Sequence, residues 1–358
     1  MPDWPVVAVI LARLAVPLAI PRFPLPGIVA AFALDAVDQT VFEAVGIADL
    51  SGYQIYDKAL DVYYLTIAYA STIRNWDSGP AFLIGRALWY YRLLGVVLFE
   101  SFEARWLLLV FPNTFEYFFV AVELIKVSRN PFALTREQLL ALAAGIWVII
   151  KLPQEWWLHV AQLDFTDFVG DLITTRPGVA AALAAAAVLA GLTIRRAARR
   201  LPPRDWEPTV SADDQAEQLG WPRPPAEARP AAFFGWPFVE KALLVTLVTL
   251  IFQEILPGEN RGILQVTVAT VSIIAVSTLF SQWLARRGLT WRSALVELVV
   301  MGAANTGIAI GAARIIPGGA PRPPLVTFLF LVGLLTLIVV LFDRSKVMDR
   351  RRPVLTGS

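Results

Sequence analysis

The sequence predicts an all-α fold: a polytopic transmembrane helical bundle with short loops and one longer cytoplasmic linker. Hydrophobic residues make up 57% of the chain, and the mean hydropathy is +0.60. Apolar runs recur along the sequence, and each is about twenty residues long, which is enough to cross a hydrocarbon core of roughly 30 Å. Basic residues collect in alternate loops, as they do in multi-pass membrane proteins.

The apolar runs give about 10 or 11 candidate spans. The first run is short, contains Arg13 and is interrupted by Pro5 and Pro17, so it either crosses the membrane or lies in its interface. The candidate spans are 4–20, 25–44, 54–74, 79–99, 105–126, 138–158, 178–196, 236–256, 263–285, 292–314 and 324–343.

The basic loops predict the orientation of the chain. If consecutive spans cross the membrane in alternate directions, all of the strongly basic loops lie on the same side. The positive-inside rule makes that side the cytoplasm. The chain is therefore expected in the cell inner (plasma) membrane with a cytoplasmic C-terminus. The residues that mark this side are Arg22, Arg74, Lys126, Arg129, Arg136, Arg195, Arg196, Arg199, Arg200, Arg286, Arg287, Arg292 and the tail from Arg344 to Arg352.

One long polar stretch, 197–235, divides the chain. It is rich in Pro, Arg, Glu and Trp, so we expect an extended, partly ordered cytoplasmic linker that could bind a protein partner. Before it come an acidic and aromatic membrane half at 1–176 and a connecting span at 177–196. After it come an apolar membrane half at 236–345 and a basic cytoplasmic tail at 346–358.

Composition excludes several kinds of site. The chain has no cysteine and one histidine, His159, which excludes disulfides, iron–sulfur clusters and thiol catalysis and argues against haem or zinc held by several histidines. A bound metal would be a hard cation with oxygen ligands, such as Mg²⁺, Mn²⁺ or Ca²⁺. Nothing in the sequence predicts a nucleic-acid partner.

Four aspartates are the strongest functional signal. Asp35 and Asp38 are three residues apart, Asp57 and Asp61 are four apart, and each pair shares one face of a predicted span. Carboxylates are costly in hydrocarbon and persist where they face a bundle interior or a wet cavity. We therefore predict an outward-facing cation or proton site, which could hold a divalent metal ion. In the alternative, Lys58, Arg13 or Arg92 neutralises part of the cluster.

A second polar stripe lies on span 105–126. Glu116 and Glu123 fall on one side of this helix, and Arg92 lies at a similar depth in the preceding span. The two glutamates are candidate binding residues that would continue a polar path inward. A structural ion pair between Arg92 and Glu116 is the alternative that we favour for that glutamate.

A third stripe lies on span 138–158. Lys151, Glu155 and His159 are each four residues apart on one face. Lys151 and Glu155 lie deeper in the span and are the candidate binding residues, whereas His159 fits a polar helix end.

One short motif resembles the signature of the CDP-alcohol phosphotransferases, D-x-x-D-G-x-x-A-R followed by G-x-x-x-D-x-x-x-D. The matching residues are Asp35, Asp38, Gly52, Asp57 and Asp61. The resemblance implies aspartates that hold divalent metal ions and join a CDP-linked lipid to an alcohol. The chain departs from the signature in three ways: Gln39 stands where the family has Gly, the Ala-Arg pair is absent, and the second gap is one residue longer.

Three hypotheses follow from the sequence. The first is a transporter or channel for a small cation or proton, with the aspartates as its outer site. The second is a divalent-metal-dependent membrane enzyme that acts on a lipid or lipid-linked substrate. The third is a non-catalytic membrane scaffold whose linker binds a partner. Membrane lipids surround the chain in all three.

Overall fold

The computed structural model confirms the all-α class. It describes residues 4–44, 53–76, 79–156, 199–204, 206–218, 235–255, 263–286, 299–307 and 325–349, with 174–179 and part of 181–196. Helices account for most of these residues, and no strand occurs among them.

Three helical segments among the described residues are long and apolar enough to cross a membrane: Gly79–Phe102, Trp106–Val127 and Val326–Asp343. Shorter apolar helical stretches occur at Val7–Ala19, Pro24–Asp35 and Val266–Val276. These helices are consistent with a membrane protein, and the larger predicted number of spans stays a prediction.

The helices are numbered in chain order. They are α1 Trp4–Ala15, α2 Pro24–Ala44, α3 Tyr53–Asn75, α4 Gly79–Phe102, α5 Trp106–Val110, α6 Thr114–Ser128, α7 Arg136–Gly145, α8 Leu152–Glu155, α9 Ala212–Gln218, α10 Trp236–Ile255, α11 Ile263–Arg286 and α12 Leu325–Asp349. A 3₁₀ turn, Val16–Ala19, continues α1, and a π-helix, Ile146–Lys151, joins α7 to α8.

Contacts divide the chain into two compact units. Unit 1 comprises Met1–Asn75 and Val210–Ser358, and unit 2 comprises Trp76–Thr209. The predicted domain boundaries followed composition, whereas these units follow packing. The long polar stretch contributes its first residues to unit 2 and the remainder to unit 1.

Helix α3 is the centre of unit 1. Nearly every residue from Ala59 to Ile73 is buried, and α3 contacts α1, α2, α10 and α12. Polar groups on such a helix need partners in the protein. The Tyr63 hydroxyl accordingly donates to the Leu14 carbonyl at 2.9 Å, which ties α1 to α3.

Unit 2 is built around an aromatic core. The indole of Trp76 stacks on the ring of Phe119 with centroids 5.6 Å apart, and Trp89 packs on Phe115 at 5.4 Å. Aromatic side chains bury much apolar area each, so this core fixes α6 against α4.

Two predicted spans of unit 2 contain irregularities that the sequence did not predict. Span 105–126 is interrupted, because α5 ends before Phe111 and Pro112 disfavours helical geometry at the preceding residue. Span 138–158 contains a π-helical turn just before Pro153, whose missing N–H removes one rung of the helical hydrogen-bond ladder.

The long polar stretch, predicted to be extended and partly ordered, contains a helix among its described residues. Its residues 212–218 form α9, and the Ala212 N–H donates to the Arg22 carbonyl at 2.7 Å. Asp213 of α9 forms ion pairs with Arg74 and with Arg22, the latter at 3.5 Å. Both arginines belong to the basic loops that the sequence places in the cytoplasm.

The earlier part of this stretch packs on unit 2. The Asn130 N–H donates to the Pro202 carbonyl at 3.2 Å, and the Arg204 guanidinium donates to the Val127 carbonyl. Trp206 is buried, with its ring 6.3 Å from that of Phe132. These contacts also lie in a loop that the sequence places in the cytoplasm.

Candidate cation site

Three carboxylates from two helices of unit 1 converge on one point. Asp35 comes from α2, and Asp57 and Asp61 come from one face of α3. One oxygen from each lies within 4.8 Å of the other two. The predicted convergence of the two pairs is therefore present for three of the four aspartates. The side chain of Asp38 lies outside the described residues.

The guanidinium of Arg13 sits among these carboxylates. Its Nη1 donates to Asp57, and its Nη2 donates to Asp35 and to Asp61, the latter at 2.5 Å. Arg13 is 3% exposed, whereas the three aspartate side chains are 29%, 39% and 42% exposed. The arginine is thus enclosed and its carboxylate partners face outward.

The position of Arg13 follows from local structure. Helix α1 packs against both α2 and α3, and the Tyr63–Leu14 hydrogen bond holds the residue next to Arg13 in place. In the sequence Arg13 was one of several bases that could neutralise the aspartates. Arg13 is a single cation inside a short apolar segment, where a charged side chain needs a carboxylate partner. This feature of the sequence could have identified its central role.

The cluster has the right donors for a hard cation. Carboxylate oxygens suit Mg²⁺, Mn²⁺ and Ca²⁺, and Asp35, Asp57 and Asp61 are the residues that would hold one. Arg13 engages the Oδ1 atom of each carboxylate. A metal ion at this point would therefore have to compete with the guanidinium or use the remaining oxygens.

The predicted binding residues of the third stripe are buried within unit 2. Lys151 is 4% exposed and Glu155 is 5% exposed. The Lys151 ammonium lies 4.1 Å from the centre of the Tyr117 ring. It is also within electrostatic range of Glu116 and Glu155, so both predicted stripes contribute to one polar cluster.

Glu116 and Arg92 both lie at the interruption between α5 and α6. Glu116 accepts a hydrogen bond from the Asn113 amide at 2.8 Å. Arg92 donates to the Phe111 carbonyl at 3.1 Å. Both residues interact electrostatically with Lys151, and the predicted Arg92–Glu116 pair stays a prediction.

Glu123 occupies a different environment from Glu116, although the two lie on the same helix. It accepts a hydrogen bond from Trp76 Nε1 at 2.7 Å and forms an ion pair with Lys126 at 3.2 Å. Glu123 and Lys126 are both buried. These contacts favour a structural role for a residue that the sequence placed on the polar path.

Unit 1 contains a further buried carboxylate that sequence reasoning passed over. Glu240 on α10 is 1% exposed and accepts a hydrogen bond from Tyr69 on α3. The next residue, Lys241, pairs with Asp343 of α12 at 3.0 Å and with Thr278 of α11 at 3.1 Å.

The chain was compared with known protein families, with curated proteins and with solved structures. None of the three comparisons gave a match.

Proposed function

We propose that this chain is an integral membrane transporter or channel with an outward-facing acidic site for a cation or proton. The observation that carries the proposal is the convergence of Asp35, Asp57 and Asp61 on Arg13. Three carboxylates and one guanidinium together have a formal charge of −2. Such a cluster attracts further positive charge, because clefts of one sign concentrate counter-ions.

Partial exposure supports a binding role rather than a sealed ion pair. A fully enclosed ion pair would leave its carboxylates out of reach of an incoming cation. Here the cation is enclosed, while each carboxylate keeps 29–42% of its side chain exposed. An incoming cation can reach the carboxylates from their open side and compete there with Arg13.

Distances along the helices support the outward placement. Asp61 precedes Arg74 by thirteen residues, which corresponds to about 20 Å along α3. Arg74 binds α9 at the end that the basic loops assign to the cytoplasm. In a hydrocarbon core of roughly 30 Å, the carboxylates then lie nearer the outer surface.

The proposal is tested by cation flux into proteoliposomes that contain the purified full chain. Flux of H⁺, Na⁺, K⁺, Mg²⁺ and Ca²⁺ is measured for the natural chain and for the double variant Asp57→Asn/Asp61→Asn. We expect flux of at least one cation, and we expect the double variant to lose it, because both carboxylate charges are removed.

The matched control is Asp213→Asn, which removes an exposed carboxylate of the same unit that pairs with Arg74 and Arg22. Its flux should equal that of the natural chain. Absence of flux for all five cations, or unchanged flux in the double variant, would contradict the proposal.

The second candidate is a divalent-metal-dependent membrane enzyme that acts on a lipid-linked substrate. It is favoured by the three carboxylate oxygens within 4.8 Å of one another, which could hold a hard cation. The purified chain would then turn over a CDP-linked lipid and an alcohol only with Mg²⁺, Mn²⁺ or Ca²⁺. Turnover that persists in EDTA, or no turnover with any of these ions, counts against the enzyme.

A further inference from the structure

The long apolar segment of unit 2, Trp106–Val127, is interrupted within its first third. Helix α5 ends at Val110 and α6 begins at Thr114, so Phe111, Pro112 and Asn113 lie outside both helices. Irregular backbone at membrane depth is tolerated where it is buried in protein or lines a polar cavity. Interrupted helices of this kind form the solute sites of many transporters.

Helix α4 stabilises the interruption. The Tyr91 hydroxyl donates to the Val110 carbonyl at 2.8 Å, and Arg92 Nη1 donates to the Phe111 carbonyl at 3.1 Å. Carbonyl groups that lose their helical partners are costly in an apolar segment unless other donors reach them. These two side chains supply such donors, so the interruption is part of the folded structure.

Charged side chains of both signs lie near the interruption. Lys151 lies within electrostatic range of Glu116, Glu155 and Arg92. Among the described residues of this cluster, two cations and two carboxylates cancel in formal charge. Glu116, Lys151 and Glu155 are 4–5% exposed, which separates them from bulk solvent.

Two polar groups at this place lack hydrogen-bond partners among the described residues. The Asn113 Oδ1 and the Trp147 Nε1 are buried and unbonded. The Lys151 ammonium contacts the face of the Tyr117 ring. Trp147 and Lys151 are four residues apart on a π-helical turn, a feature often found at functional sites.

We propose that unit 2 binds a small polar solute of no net charge at this interruption. Buried polar groups without partners are rare in folded proteins, and a bound polar molecule explains them together. Lys151 and Trp147 would donate to a carboxylate or carbonyl oxygen of the solute. Asn113 Oδ1 would accept from its ammonium or amide group. The solute is therefore an amino-acid-like zwitterion or a neutral amide.

The balanced charge of the cluster decides between this solute and an ion. A cation or an anion would add an uncompensated charge at a site with little solvent, which is expensive. A zwitterion or neutral amide leaves the total unchanged and satisfies both kinds of open hydrogen-bonding group. This site differs from the acidic cluster of unit 1 in its residues, its formal charge and the solute it takes.

The absence of cysteine from the chain allows a direct test on the purified full-length protein. Gln154, which accepts a hydrogen bond from Tyr117, provides a reporter position at the edge of the cluster. The variant Gln154→Cys is treated with methyl methanethiosulfonate alone or with glycine, acetamide, acetate or methylammonium. Leu139→Cys, at a fully buried position of α7, is the control for a site without solute access.

We expect Gln154→Cys to react and Leu139→Cys to remain protected. Glycine or acetamide should slow the reaction of Gln154→Cys, and the two ions should not. Adding Lys151→Gln should weaken this protection by roughly tenfold or more, because it replaces a charged donor. Adding Glu123→Gln, whose side chain lies outside the cluster, should leave the protection unchanged.

A second measurement needs no substitution: glycine or acetamide should raise the melting temperature of the natural chain, and acetate and methylammonium should not. Three results would overturn the proposal. In the first, the Gln154→Cys variant reacts no faster than the Leu139→Cys variant. In the second, acetate or methylammonium protects the cysteine better than glycine or acetamide does. In the third, neither glycine nor acetamide has an effect in either measurement. None of these readouts depends on cation flux.

Discussion

Arg13 and Asp61 are separated by 48 positions in sequence, yet the guanidinium of the first donates a hydrogen bond to the carboxylate of the second at 2.5 Å. The same Nη2 atom also donates to Asp35. Arg13 thus holds the position that a substrate cation would take between α2 and α3. In the proposed transport function, the protein carries a tethered competitor for its own substrate.

Replacing Arg13 by Gln should tighten cation binding. A like charge a few Å from a bound cation costs more than ~1.4 kcal/mol at the effective dielectric constant of a protein surface, so the half-saturating concentration should fall about tenfold or more. Cation-dependent thermal stabilisation of the purified chain measures this concentration. Arg13→Lys, which keeps the charge but lacks the planar fork of the guanidinium, should fall between Gln and the natural residue.

The same Arg13→Gln variant should be less stable without added cation. Losing one partner of a buried ion pair typically costs about 3–5 kcal/mol, and the cost here should be smaller because the carboxylates are partly exposed. A folded Arg13→Gln protein that binds cations more weakly than the natural chain would show that Arg13 is not a competitor.

Glu123 should contribute to the stability of the fold and not to transport. Glu123→Gln keeps an acceptor for Trp76 but leaves the buried Lys126 without its carboxylate, so we expect a loss of about 1–3 kcal/mol in stability. Transport by the folded variant should be unchanged. Melting temperature and flux are measured on the same preparation.

The Glu123–Lys126 ion pair can be tested further with the variant Glu123→Leu, alone and combined with Lys126→Met. The single variant should lose about 3–5 kcal/mol, because it buries an unpaired ammonium. The double variant should recover much of this loss, since no charge is left without a partner. Equal losses in the two variants would show that the ion pair does not account for the effect.

Gly95 should tolerate no side chain. A Cβ at this position of α4 would collide with the side chain of Phe111 at the interruption between α5 and α6. Gly95→Ala should therefore destabilise the protein by about 1–3 kcal/mol, as overpacking does. Gly145→Ala is the control, because a Cβ there meets nothing within 4 Å. Alanine should be neutral or favourable in that helix by up to ~1 kcal/mol.

The helices of this fold could be predicted from the sequence because they depend on apolar content and length. The predicted spans 25–44, 54–74 and 236–256 correspond closely to α2, α3 and α10. The interruption at Phe111 could not be placed, because a single proline in an apolar run is compatible with a kinked helix or with two helices. Its actual form depends on Tyr91 and Arg92 of another helix.

The candidate site was predictable in part for a similar reason. Spacing of three and four residues places side chains on one face of a helix, so each aspartate pair could be recognised from local sequence. Which cation would lie among them depends on the packing of α1 against α2 and α3, and the sequence alone left Arg13 as one of several choices. Helical periodicity placed Glu116 and Glu123 on one side of a helix, and their different environments depend on neighbours from other parts of the fold.

The predicted orientation can be tested on intact cells, since single cysteines can be placed in a chain that has none. Phe102 is 69% exposed at the end of α4, on the predicted outer side, and Val210 is 58% exposed before α9, on the predicted cytoplasmic side. A membrane-impermeant maleimide should label Phe102→Cys in intact cells. Val210→Cys should be labelled only after the membrane is opened. The reverse labelling pattern would invert the topology and place Asp57 and Asp61 near the cytoplasm. Labelling of both cysteine variants in intact cells would show that no membrane separates positions 102 and 210.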